Sequence, residues 1–193
     1  MKITELYSNF EENKYCKIFP NEEFMYKEYA VYQPLQRRGV LDAESIERLR
    51  TSSYFTSNSS IFNEMDFEQL KEMNPRSAAD EKKYQKYLAG QQFVADVLTI
   101  LEANRSDRIF MDYSEFEKYL KSLLGKVEGM SASRLTGIAM VLAVMDKTAV
   151  IQKDRKGEII KDTTTKDTEI IKLTQNPEKY FEAEVYPHVP DAI

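Results

Sequence analysis

The sequence predicts an α+β fold, with a mostly helical block inserted between terminal β-hairpin and strand segments. Three observations predict it. Residues 16–35 and 149–173 hold aromatic and β-branched runs interrupted by turn residues. Residues 42–145 instead place apolar side chains at helical spacing. Strands at both ends with helices between them imply that the ends meet in one sheet, with the helical block as an excursion from it. The segments expected are a helix plus β-hairpin at 1–39, a helical subdomain at 40–146, and a β-hairpin with a closing short helix at 147–193.

Ile3, Leu6, Tyr7 and Phe10 predict a helix over 3–11. Residues 16–19 and 24–35 then read as two strands around the turn Pro20-Asn21-Glu22-Glu23, with Pro34 ending the second or marking an edge. Gln36-Arg37-Arg38-Gly39 reads as punctuation. Asp42 to Ser45 opens a helix carrying Ile46, Leu49 and Tyr54. After a polar loop at 56–60, a short helix through Ile61, Met65, Phe67, Leu70 and Met73 closes at Asn74-Pro75.

The strongest helix is 80–103, capped by Asp80, with Tyr84, Tyr87, Leu88, Gln91, Val94, Ala95, Leu98 and Leu101 on one face. A helix from Ser114 to Leu124 follows, stopped by Gly125. Ser131 or Ser133 starts the next, whose Leu135, Ile138, Ala139, Leu142 and Val144 predict burial nearly all round. Residues 149–154 and 158–162 read as a hairpin around Arg155-Lys156-Gly157, and Glu169–Leu173 is briefly strand-like. Asn176 caps a last helix with Pro177 at its first position and Phe181 and Val185 along one side; Pro187 and Pro190 end it. The helix beginning almost at Met1 and the final PDAI read as cuts through a larger protein.

Composition bounds the function. At 193 residues the chain suffices for one domain or a small core with an inserted subdomain, and 42% hydrophobic with 31% charged residues is ordinary for a globular protein. The net charge of −5 argues against autonomous, nonspecific DNA binding. The single cysteine, Cys16, excludes an internal disulfide and fits a reducing cytoplasm. It reads as a buried small residue, and its pairing with the single histidine, His188, matches no metal or nucleophile spacing. No apolar run of membrane-spanning length and no signal core is present, so a soluble cytoplasmic protein without membrane association is expected.

The chemistry-bearing motifs fail one by one. The six glycines form no G-x-G pair, so neither a Rossmann turn nor an S-adenosylmethionine glycine loop can be drawn. Gly125-Lys126-Val127 fails as a P-loop, and Gly129-Met130-Ser131 is not followed by the glycine of a nucleophile elbow. The acidic residues interleave with lysines on helix faces, as at Glu115, Glu117 and Lys118, and no carboxylate pair stands out. No catalytic, cofactor-binding or metal-ligating residue is therefore assigned. Two basic spots remain as phosphate contacts, Arg37-Arg38 and the turn with Lys153, Arg155 and Lys156; against this, turns are polar because they are exposed.

Two segments carry a resemblance. Residues 6–35 match in Lys17-Ile18-Phe19, Asn21, Glu23-Phe24, Tyr26, Val31 and Pro34-Leu35, and residues 163–192 match in Asp167-Thr168-Glu169, Tyr180-Phe181, Glu184-Val185 and Pro187 to Ala192. In these positions, and in their order, the chain resembles the modification subunits of type I restriction–modification systems, which are DNA adenine-N6 methyltransferases. The second segment is the more specific, and the helical block fits only loosely. Met25 replaces a usual glycine, and Tyr32-Gln33 replaces a usual Glu-Arg, which puts a polar contact at Gln33 in doubt.

The resemblance implies a position downstream of the family's cofactor loop and its Asn-Pro-Pro-Phe/Tyr motif, which holds the flipped adenine. Asn74-Pro75-Arg76-Ser77 and Asn176-Pro177-Glu178-Lys179 lack the second proline and the aromatic. The expectation is a non-catalytic C-terminal fragment supporting DNA or specificity-subunit binding, with no cofactor in this chain. S-adenosylmethionine would belong to the methyltransferase catalytic domain, which is a partner along with the specificity subunit and DNA in the assembled complex. The contact residues expected are Lys17, Phe19, Lys27, Arg37, Arg38, Lys153, Arg155 and Lys156. The alternative is a free-standing protein-binding or regulatory module without enzymatic activity; a further alternative is an unrelated enzyme with a dispersed site.

Overall fold

The computed structural model describes residues 12–14, 17–56 and 63–193. The helix expected at 3–11, Cys16, and most of the loop at 56–60 together with Ile61 lie outside the described residues. The class is α+β, with seven α-helices and two small antiparallel sheets among the described residues. The chain divides into two compact units: Leu35–Ile160 is one, and the residues up to Pro34 together with Lys161–Ile193 are the other.

In the second of these units the two ends of the chain meet, as expected. Strand β1 (Tyr26–Pro34) runs antiparallel to the C-terminal strand β5 (Lys161–Lys172), with Tyr26 opposite Lys172 and Val31 opposite Asp167. The hairpin expected within 16–35 is therefore corrected. Asn21–Phe24 forms a single 3-10 turn, and β1 finds its partner on β5, while the described Lys17-Ile18-Phe19 forms no strand. The reason lies on one face of the ribbon. Val31 and Ile171 are buried there, Tyr29 meets Phe181 edge to face at 5.9 Å, and Val185 is buried below them.

Phe181 and Val185 belong to a wider π-helical turn, Phe181–Val185, that continues directly from α7 (Pro177–Tyr180). Asn176 caps it through Lys179 N–H, with Pro177 at its first position. A bulge between Val31 and Gln33 is satisfied from β5. Gln33 N–H donates to the Thr165 hydroxyl at 2.8 Å, and that hydroxyl donates to the Asp162 carbonyl at 2.8 Å. The buried Asp162 carboxylate accepts both the Thr164 N–H and its hydroxyl.

The other unit is the helical block. Its helices are α1 (Ala43–Thr51), α2 (Ser53–Thr56), α3 (Glu64–Glu72), α4 (Ala78–Ala103), α5 (Tyr113–Leu124) and α6 (Ala132–Leu142). Side chains cap the long ones as the sequence suggests: Asp42 accepts from Ser45 N–H, and Ser131 accepts from Arg134 N–H. For α4 the cap is Ser77, not Asp80. The Ser77 hydroxyl accepts from Asp80 N–H and donates to its carboxylate, so Asp80 serves as the first-turn acid. The α4 face is also rotated. Tyr87, Gly90, Phe93, Val97 and Leu101 are buried, whereas Leu88, Gln91 and Ala95 are exposed.

Helix α6 is the centre of the block. Ile138, Ala139 and Leu142 are fully buried, and the helix packs against α1, α5 and the sheet. Each such Leu or Ile contributes about 1.5–3 kcal/mol relative to exposure. Val144, expected on this helix, instead lies in β4 (Val144–Met145).

That sheet has the order β3-β2-β4, with β2 (Arg37–Leu41) in the middle and β3 (Ser106–Phe110) at one side. The reading of Gln36 to Gly39 as punctuation is thus corrected. Arg37, Gly39 and Leu41 point inward and Arg38 and Val40 outward, a strand period hidden by an arginine at an inward position. Gly39 is needed there because the Phe116 ring lies against its backbone, where a Cβ would stand. The hairpin expected at 149–162 is present as a tight turn bridged at Lys153 and Ile159, with Gly157 at φ 85°.

Gly39→Val would drive a side chain into the Phe116 ring. We expect a loss of about 1–3 kcal/mol, as in overpacked cores, read as a lower urea midpoint; an unchanged midpoint would contradict the packing described here.

Candidate functional site

The basic residues divide into those engaged inside the helical block and those left on its surface. Helix α6 explains the first group. It is apolar through its last turn and carries no basic residue there, so its terminal carbonyls need donors from elsewhere. Two arginines supply them. Arg37 on β2 reaches the carbonyls of Met140 and Ala143, both at 3.4 Å. Arg48 on α1 donates to the carbonyls of Val141 at 2.9 Å and Leu142 at 2.7 Å. Arg37 is only 8% exposed, so its expected role as an exposed phosphate contact is corrected: it is a buried helix cap.

Arg38 points the other way and pairs with Asp146 at 3.2 Å, with more than a third of its side chain exposed. The Thr148 hydroxyl and N–H hold the Asp146 carboxyl below its usual range, and Arg38 adds to this. The neighbouring Gln36 side chain is buried and donates to the carbonyls of Lys147 and Ala149, each at 2.7 Å. Residues 144–152 are thereby laced to residues 35–38, since Asp146 N–H also reaches the Gln36 carbonyl and Gln152 N–H the Leu35 carbonyl.

The surface group is the turn that follows. Lys153, Arg155 and Lys156 are all exposed on it. Its shape is set by Asp154, whose carboxylate accepts the N–H groups of Lys156 at 2.8 Å and Glu158 at 2.9 Å. The three cations therefore project from a backbone already closed on itself, and an anion here would be met by side chains rather than by backbone N–H groups. Of the eight residues expected to make contacts, these three are the set the structure gathers on one turn.

In the other unit Lys17, Phe19 and Lys27 are exposed. Phe19 packs edge to face on Phe24 at 6.1 Å. Lys27 stands on β1 opposite Ile171. His188 is exposed at the end of the last helix, and Cys16, the residue weighed with it as a pair, lies outside the described residues.

The shifted carboxylates also serve local structure. The Ser45 N–H lowers Asp42, the Lys83 ammonium and the Tyr87 hydroxyl lower Asp66, and the Gln85 amide and Arg76 lower Glu81. Asp112, capping α5, is lowered by Ser114 and Gln152 in spite of its partial burial. A cavity of about 390 Å³ beside α4 is lined by Gly90, Phe93, Asp96, Glu128, Gly129 and Arg134. The Arg134 guanidinium covers the Phe93 ring at 4.7 Å and donates to the Gly129 carbonyl at 2.8 Å. Among the described residues no group of three His, Cys, Asp or Glu side chains could hold a metal ion, and no helix is long and apolar enough to cross a membrane.

The division of the arginines has a direct test. Arg37→Gln leaves α6 carbonyls short of a charged donor and is expected to cost about 1–3 kcal/mol in denaturant unfolding. Arg155→Ala is expected to stay within about 0.5 kcal/mol of the parent. Equal effects would contradict the assignment.

Compared with protein-family models, with curated proteins and with solved structures, the chain matches none.

Proposed function

We propose that this chain is a non-catalytic C-terminal segment of a type I DNA adenine-N6 methyltransferase subunit, supporting the binding of DNA or of the specificity subunit. The observation that carries the proposal is the β1–β5 pairing. The two segments whose residues resemble that family, 6–35 and 163–192, are far apart in sequence, yet Tyr26–Pro34 and Lys161–Lys172 are adjacent strands of one unit. The loosely fitting block between them forms a unit of its own. A shared module with an inserted block is what such a pattern of resemblance needs.

The exposed turn with Lys153, Arg155 and Lys156 supports a role beside phosphate within a larger assembly, where the net charge of the chain alone does not decide binding. The residues do not fit S-adenosylmethionine, because no G-x-G turn is present, and an Asn-Pro-Pro-Phe/Tyr motif for a flipped adenine is missing too. Methyl transfer is accordingly assigned to a separate catalytic domain and not to this chain.

The test mixes the chain with methyl-labelled S-adenosylmethionine and duplex DNA, alone and together with the catalytic segment of a type I modification subunit. The chain alone is expected to transfer no label and to co-purify with that segment. Transfer by the chain alone, or failure to associate, would overturn the proposal.

A further inference from the structure

The turn at 154–157 closes a short hairpin whose outward flank is both apolar and basic. Lys153 and Ile159 bridge its two arms, with Asp154 N–H on the Glu158 carbonyl at 2.8 Å and Ile160 N–H on the Gln152 carbonyl at 3.0 Å. Residues opposite each other in such a pair share a face. Gln152 is buried and donates inward to the Asp112 carboxylate, so its neighbours Ile151 and Lys153 point outward. Ile151, Lys153 and Ile159 therefore share one outer face, on which Ile151 is 38% and Ile159 41% exposed. Arg155 and Lys156 extend the positive charge to the tip. Among the described residues none of these three cations meets a carboxylate, while Asp154 is engaged by the N–H groups of Lys156 and Glu158.

We propose that this face docks an acidic segment of a partner polypeptide, one that carries apolar side chains among its carboxylates. The isoleucines decide between anionic partners. A nucleic-acid backbone answers Arg155 and Lys156 at the tip but leaves Ile151 and Ile159 in water. An anionic bilayer takes apolar side chains deepest and holds cations at its headgroups. Here the order is reversed, with Arg155 and Lys156 outermost and the isoleucines behind them on the hairpin arms. A polypeptide covers the isoleucines and pairs an Asp or Glu with Lys153 in one contact. A second copy of this chain in a two-fold contact sets the basic face against itself. The proposal goes beyond the methyltransferase reading and does not depend on it.

The probe is the capped peptide Asp-Leu-Glu-Leu-Leu-Asp-Glu, titrated into the isotope-labelled full chain. Amide shifts are expected at Ile151, Lys153 and Ile159, and the binding is expected to weaken as salt is raised. The same peptide with serine in place of its leucines keeps the charge and is expected to bind at least about fivefold more weakly. Replacing Ile151 and Ile159 together by serine is expected to weaken the leucine peptide by a similar factor, with the urea midpoint of the chain unchanged. Should that variant lose stability, the comparison of the two peptides on the parent chain decides alone. Random-sequence duplex DNA and phosphatidylglycerol vesicles are expected to leave Ile151 and Ile159 unshifted. No shift at millimolar peptide, equal binding of the leucine and serine peptides, or shifts at both isoleucines with DNA or vesicles in place of the peptide would overturn the proposal.

Discussion

The pairing of β1 with β5 is the constraint that ties the two halves of its unit together, because it joins residues separated by the whole helical block. Closing a flexible loop of that length costs about 4 kcal/mol beyond a constant, on the logarithmic scaling of loop entropy. The block reduces this cost by folding on itself. Leu35 N–H donates to the Ile160 carbonyl at 2.7 Å, and the Leu35 carbonyl accepts Gln152 N–H at 2.9 Å. The first and last residues of the block are thus bonded to each other. The strands that leave it start side by side, with Pro34 already opposite Lys161. Ordering the block therefore does most of the work of bringing Tyr29 and Ile171 within reach.

Inside the block, α6 buries one face, through Leu135, Ile138, Ala139 and Leu142, rather than nearly its whole circumference, and its C-terminal end raises a problem that its own sequence does not solve. Its C-terminal carbonyls lie among apolar groups, and unsatisfied buried carbonyls are costly. Arg37 and Arg48 answer from two different elements, which also ties β2 and α1 to the same helix end. Gly39, two residues after Arg37, lets the Phe116 ring of α5 close over the strand. One short strand thereby couples a helix cap, a ring contact and the centre of a sheet. The positive charge at Arg37 is committed to the fold, and the surface charge of Lys153, Arg155 and Lys156 remains for encounters with other molecules.

Much of this was legible from residue patterns. The α+β class, the meeting of the chain ends, the cap at Asn176 and the helix starts at Asp42 and at one of Ser131 or Ser133 follow from spacing and from the chemistry of capping side chains. Strand β2 was not legible, because an inward arginine breaks the apolar alternation on which strand readings rest. Strand β3 escaped for a related reason: of Ser106–Phe110 only Phe110 is buried. The α4 face was rotated because Phe93 and Val97 lie beside Val94 and Leu98, and spacing alone does not choose between neighbouring stripes. Basic residues were visible in sequence, but their division into caps and surface cations depends on where α6 ends. The apolar last turn of that helix was the one available signal.

The central claim is that the block forms independently and delivers β1 to β5. Native-state hydrogen exchange on two variants tests it most directly. Ile171→Asp, which spoils the ribbon, is expected to deprotect the Tyr29 amide while Leu35, Ile138 and Leu142 keep theirs. Gly39→Val, which loosens the block, is expected to lower protection in the block and in the ribbon together. Loss of block protection on breaking the ribbon, or a ribbon that survives a loosened block unchanged, would contradict the account.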